Sequence, residues 1–194
     1  MIFPLFETFR YENGQLYHLD FHLERYQRSI WEFFGKHIHA PIFEEIFMQF
    51  VQYQQLPQTG LYRLRFAYNL TNFDLQIFPY ERKVYRAFKP IVCDDIDYHL
   101  KFTDRYHLQE LLAQKDEADE VIIIKNGYVT DCTIGNLAFR SGNSWFTPNT
   151  LLLAGTQRAY LLATQQIQSV SIRQNDLNQF EEVRLINALN PLNL

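Results

Sequence analysis

The sequence predicts an α+β protein of two small lobes, and three observations carry that prediction. Short, largely apolar runs are joined by tight turns at Asn13-Gly14, Asn126-Gly127 and Gly142-Asn143, the residue types that accept positive φ. Segments with apolar residues at helical spacing fall between those runs. A polar, basic stretch from Glu81 to Arg86 interrupts the pattern. It divides the chain into a small N-terminal α+β lobe (residues 1–84) and a larger C-terminal α/β lobe (residues 85–194). A cleft between two such lobes is a usual place for a small-molecule site.

Residues 2–11, rich in Phe and Tyr, read as a strand, and residues 15–19 return beyond the Asn13-Gly14 turn. Asp20 has the character of an N-cap for a helix running to Phe34, with Gly35 ending it. Residues 43–54 give a second helix, with Ile46, Phe47, Phe50 and Val51 on one face. Residues 60–68 alternate as a strand and 74–80 follow as another. In the second half, strands are expected at 87–94, 120–125, 128–131, 137–141, 144–147, 170–173 and 182–186. Helices are expected at 104–115 and at 152–167, the latter entered through Gly155-Thr156. The sequence contains no internal repeat and no low-complexity tract.

Composition narrows the function classes. The chain has 194 residues, 47% hydrophobic and 21% charged, which supplies a core and argues against a disordered chain. Lys plus Arg number 18 against 22 Asp plus Glu. A net charge of -4 lacks the broad basic field that nucleic-acid binding needs, so no nucleic-acid partner is expected. Two cysteines, Cys93 and Cys132, make no disulfide framework. No signal-peptide pattern opens the chain, and no apolar run approaches the roughly 20 residues of a membrane span. A cytoplasmic protein without a membrane partner is the expectation.

The usual phosphate-loop, dinucleotide, C-x-x-C, H-E-x-x-H and G-x-S-x-G patterns are absent. His37 and His39 lie two apart with no carboxylate or thiol close in sequence, and no metal site is expected there. Lys101 is one of six lysines and sits in YHLKFTDRYH, between a strand-and-turn and a helix. An amine at such a junction either projects into a cleft, where it can become a nucleophile toward carbonyls, or is an ordinary solvated lysine. Arg105 follows at one helical turn. Gly155-Thr156-Gln157-Arg158 opens a helix, which is either an anion site at free N–H groups or an ordinary capped turn. Arg25, in HLERYQR, is either an anion clamp or a solvated helical arginine. Asp131 is either the partner of a protonated ring nitrogen or a turn aspartate.

In their order along the chain these pieces are similar to the class IV aminotransferases, the pyridoxal 5'-phosphate (PLP) enzymes of fold type IV. The matching residues are His22-Leu23-Glu24-Arg25, Lys101, Ala118-Asp119-Glu120, Gly127 to Asp131, Asn136-Leu137, Thr147-Pro148 and Gly155 to Arg158. The resemblance covers residues 5–191. It implies a two-lobed fold like that of D-amino-acid aminotransferase, shortened at both ends. Lys101 then resembles the catalytic lysine that bonds to PLP and moves protons at the substrate Cα. Arg25 resembles the phosphate-holding arginine, and Gly155, Thr156 and Gln157 the turn that completes the phosphate site. Asn187 and Ala188 resemble the last phosphate-side loop, and Tyr106 a tyrosine aimed at the cofactor's phenolic oxygen. Asp131 stands where the family usually has glutamate, one methylene longer, opposite the pyridine nitrogen.

Within the family, Lys101 with Arg105, the run Thr130-Asp131-Cys132 and Ile186-Asn187-Ala188-Leu189 resemble 4-amino-4-deoxychorismate lyase. That likeness implies release of pyruvate and 4-aminobenzoate, a place in folate biosynthesis, and a substrate carrying two carboxylates. Arg105 is the first candidate for one of them, with Arg63 and Arg65 behind it. A branched-chain or D-amino-acid transaminase and a non-catalytic descendant of the fold are the alternatives. The family also implies a homodimer.

Overall fold

The computed structural model describes residues 2–35 and 56–193, so the expected helix at 43–54 and the pair His37 and His39 lie outside the described residues. Two compact units are present. One comprises Met1–Glu81 with Leu100–Thr103, the other Arg82–His99 with Asp104–Leu194.

In the first unit the strands β1 (Leu5–Glu12), β2 (Gln15–Leu16), β3 (Leu61–Tyr68) and β4 (Phe73–Pro79) form one antiparallel sheet in the order β2-β1-β3-β4. Asn13 and Gly14 take φ of 50° and 79°, as a two-residue turn of this hand requires. The Asn13 side-chain oxygen also accepts from the Gly60 N–H (2.9 Å), tying the turn to the start of β3. Alternation along β1 sends Leu5, Phe9 and Tyr11 to the inner face. There they pack with Leu64, Phe66 and Tyr68 of β3 and with Tyr26 and Ile30 of helix α1 (Leu19–Phe34). Gly35 ends α1 at φ 67°, its N–H on the Trp31 carbonyl.

Asp20 is not the N-cap. The second strand stops at Leu16, the helix begins earlier than expected, and His18 at φ 58° precedes it with no side-chain cap. Asp20 instead falls in the first turn, where its charge complements the helix dipole.

The lysine segment was expected with the C-terminal lobe. Its backbone pairs with β1 instead: Leu5 bridges Phe102, Phe6 N–H donates to the Lys101 carbonyl (3.0 Å), and Thr103 N–H donates to Pro4 (2.8 Å). Leu100 completes the first unit's core.

The second unit holds two sheets. β5 (Phe88–Val92), β6 (Glu120–Lys125) and β7 (Tyr128–Val129) form one, with β5 and β6 parallel and helix α2 (Tyr106–Leu112) between them in sequence. The other has the order β10-β9-β8-β11, from β8 (Asn136–Ser141), β9 (Ser144–Pro148), β10 (Gln168–Val170) and β11 (Glu182–Ile186). The run Val121 to Ile124 is buried on both faces, which explains why it reads as continuous rather than alternating. Ile122, Ile124, Val129, Leu137, Phe139, Ile172 and Leu185 share one core.

Helix α3 is Thr156–Ala163, shorter than the expected 152–167. At its front the N–H groups of Leu152 and Leu153 are claimed by the Asp131 carboxylate, and at its back Gln165 turns to φ 56°. A 3-10 turn at Gln174–Gln179 has one apolar residue, Leu177, packed on the core, and so carries no apolar period by which it could be read. Among the described residues, no helix is long and apolar enough to cross a membrane.

Candidate active site

In the first unit, β1 and α1 bring three side chains together away from water. Glu7 falls on the inward phase of β1 and is 0% exposed. His22 and Arg25, three apart on α1, meet it there. Arg25 Nε donates to Glu7 Oε1 (2.8 Å), Arg25 Nη2 donates to Glu7 Oε2, and His22 Nδ1 lies 2.7 Å from the same Oε2. Burial pushes the Glu7 carboxyl up, but Arg25 and the bonds from His22 and Arg25 outweigh it and hold it at about 2. Burial lowers His22 to about 4 against the pull of Glu7, with Arg25 and Lys101 adding to the fall. At neutral pH the group is therefore carboxylate, neutral imidazole donating from Nδ1, and guanidinium.

Lys101 is half-buried, its Nζ 4.8 Å from the Phe6 ring centroid. The guanidinium of Arg65 lies 5.0 Å from the same ring. Phe6 and Arg65 share the outward phase of the sheet, Thr8 pairing with Arg65 and Phe6 with Ala67. One aromatic ring thus holds an amine and a guanidinium on its electron-rich surface. Arg63, the neighbouring outward arginine on β3, sits 4.8 Å from the Phe78 ring.

In the second unit, Asp131 is 5% exposed. Its Oδ1 accepts from Asn136 Nδ2 (2.8 Å), and its Oδ2 accepts the N–H groups of Leu152 (3.2 Å) and Leu153 (2.9 Å). Burial raises its pKa to about 6, and these bonds together with Arg158 hold it from rising further. Asn136 Nδ2 also donates to the Leu153 carbonyl (2.9 Å), and its Oδ1 lies against Gly155, where an added Cβ would come within 1.9 Å. Gly155 precedes α3 in extended conformation without a side-chain cap. Thr156 and Gln157 open the helix, both buried, and Gln157 Oε1 has no hydrogen-bond partner. Asn187 Nδ2 reaches the Ile134 carbonyl (3.2 Å), while its Oδ1 takes the N–H groups of Leu189 and Asn190. Ala188 is buried beside it.

The expected residues therefore fall into two groups. Arg25 and Lys101 belong to the first unit, and Asp131, Gly155, Thr156, Gln157, Asn187 and Ala188 to the second. Two others are occupied elsewhere. Tyr106 is 60% exposed and bonded toward Glu110 on its own helix. Arg105 donates to the Thr133 carbonyl (2.8 Å), bracing the loop after Asp131. Sequence reasoning missed Glu7 as part of the site, although its place in phase with Leu5, Phe9 and Tyr11 marked it as an inward carboxylate. It also gave Asn136 no role. Among the described residues, no group of three or more His, Cys, Asp or Glu could hold a metal ion.

A family model described as amino-transferase class IV matches residues 96–192. An uncharacterized protein of Haemophilus influenzae is 46% identical over 191 residues, covering 98% of this chain and 100% of that one. A crystal structure from Haemophilus somnus, named "putative 4-amino-4-deoxychorismate lyase", superposes with a TM-score of 0.94 at 48% identity, covering 99% of each chain. A hypothetical aminotransferase of Mycobacterium tuberculosis in its PLP-bound form shares the fold at TM-score 0.79 and 15% identity, over 97% of this chain and 78% of that one.

Proposed function

Because the chain belongs to the class IV aminotransferase family, we propose that it is a PLP-dependent lyase that converts 4-amino-4-deoxychorismate to 4-aminobenzoate and pyruvate. The observation that carries this reading is the sharing of the Phe6 ring by Lys101 and Arg65, an amine and a guanidinium suited to a carboxylate on one aromatic ring. Identity of 48% to the Haemophilus somnus protein supports the same assignment.

The residues present fit the cofactor. Helix α3 opens after Gly155 with no side-chain cap, and the positive end of its dipole favours an anion. Thr156, Gln157, Asn187 and Ala188 would hold the phosphate there, while Arg25, which resembles the family's phosphate-holding arginine, is ion-paired with Glu7 in the first unit. Asp131 has three of about four acceptor directions in use, so Oδ1 retains one for a ring N–H. Bound PLP supplies a sink for the electron pair released at the substrate carbon.

Lys101 Nζ takes the proton from the ring carbon that bears the substrate amine. The C–O bond to the enolpyruvyl group then breaks, the ring becomes aromatic, and a proton returned to the departing enolpyruvate gives pyruvate. Arg65 orients a substrate carboxylate beside the amine. It takes precedence over Arg105 because it shares a ring with Lys101, whereas Arg105 is engaged with the Thr133 carbonyl. Resemblance to the family supports a cytoplasmic homodimer in folate biosynthesis.

A product assay tests this. Equal amounts of 4-aminobenzoate and pyruvate are expected from 4-amino-4-deoxychorismate, with Arg65→Ala raising KM at least tenfold. Amino transfer to a keto acid without 4-aminobenzoate would instead make the protein a transaminase.

A further inference from the structure

We infer that Asn136 is a positioning residue that sets both ends of the cofactor site in the second unit, fixing the Asp131 carboxylate and the Gly155 turn with one amide. The inference rests on the PLP reading above and goes beyond it by assigning a coupling between the two ends. Its basis is geometric. A single Nδ2 donates to Asp131 Oδ1 (2.8 Å) and to the Leu153 carbonyl (2.9 Å), so both of its hydrogens are used and the amide cannot rotate without losing both bonds. The Oδ1 of the same amide occupies the space a side chain at 155 would need.

The segment from Leu152 to Gly155 is thus held from two sides. Asp131 Oδ2 takes its N–H groups, and Asn136 takes its Leu153 carbonyl. Asn136 is 4% exposed and opens β8, whose pairing with β11 (Ile186 opposite Asn136) fixes its backbone. A side chain so placed orients a carboxylate and shapes a phosphate turn without touching the reacting atoms.

Gly155 supplies an independent probe. Its φ of -73° is open to alanine, and among the described residues the three atoms nearest a Cβ there all belong to the Asn136 amide, one at 1.9 Å. Gly155→Ala must therefore displace Asn136 and, through it, disturb Asp131.

The experiment is a titration of cofactor-stripped protein with PLP and with pyridoxal, which lacks the phosphate, alongside thermal melting. In Asn136→Ala, pyridoxal affinity is expected to fall about tenfold, the scale of one lost hydrogen bond to a charged group. PLP affinity should fall further, and the pH at which the bound ligand's visible absorbance titrates should shift. Gly155→Ala is expected to weaken pyridoxal as well as PLP. The double variant should bind no worse than Asn136→Ala alone, because the obstructing amide is gone. Wild-type affinities and titration in folded Asn136→Ala, whatever its melting temperature, would overturn the inference. So would a Gly155→Ala effect that is confined to PLP or equal in both backgrounds. If Asn136→Ala does not fold, Gly155→Ala alone decides through its effect on pyridoxal. Failure of the wild type to bind PLP would instead remove the reading on which the inference stands.

Discussion

Glu7 is ionised without access to water, and that is possible only because Arg25 and His22 surround it. Glu7→Gln keeps the shape and removes the charge, leaving Arg25 buried without its counter-ion. Breaking a buried pair from one side costs about 3–5 kcal/mol, and urea unfolding at neutral pH should show a loss of that order. Acid should act on the same group. Glu7 falls from an ordinary 4.5 to about 2, so its contribution is present above 4.5 and is lost as pH drops toward 2. His22, lowered from 6.5 to about 4, also contributes fully above its ordinary value and loses that contribution as pH falls through 4. Asp131 runs the other way. Raised from 3.8 to about 6, it favours the fold below 3.8 and loses that contribution as pH rises through 6. In Asp131→Asn, stability relative to wild type should therefore improve by about 2–3 kcal/mol between pH 4 and 7, read from urea curves at each pH. A constant difference across that range would show that Asp131 does not titrate there.

Among the elements, tight turns were the most legible in the sequence, because Asn-Gly pairs announce their own backbone conformation. Asn126 and Gly127 take φ of 53° and 80° between β6 and β7, as their types require. Two glycines illustrate different demands. At Gly127 a Cβ would meet nothing within 4 Å, and only the positive φ forbids it. Gly127→Ala should cost about 1–2 kcal/mol of stability and leave cofactor affinity unchanged. At Gly155 the backbone permits alanine and the neighbouring amide does not, so there affinity should change as well. Helix ends were less legible. The front of α3 is set by Asp131 taking the N–H groups of Leu152 and Leu153, a contact across more than twenty positions that no local period encodes. The start of α1 at Leu19 likewise follows from how early β2 stops.

For the molecule as a whole, each unit has its own core, and the chain order of the motifs was enough to indicate the family from sequence. What that order did not show was the company each residue keeps: Glu7 on Arg25, Arg65 and Lys101 each on the Phe6 ring, and Asn136 between Asp131 and Gly155. Those are contacts between elements, fixed by strand phase and register. The return of Leu100–Thr103 to β1 was hidden for the same reason. It means that residues 1–81 alone lack Leu100 from their core, and that fragment should melt below the intact chain when followed by near-UV circular dichroism. The central claim is that the amine of Lys101 carries the cofactor. Borohydride reduction of the PLP-loaded protein followed by peptide mass mapping tests it directly. A pyridoxyl group on the Lys101 peptide, absent in Lys101→Ala, is predicted; its appearance on another lysine, or on none, would contradict the account.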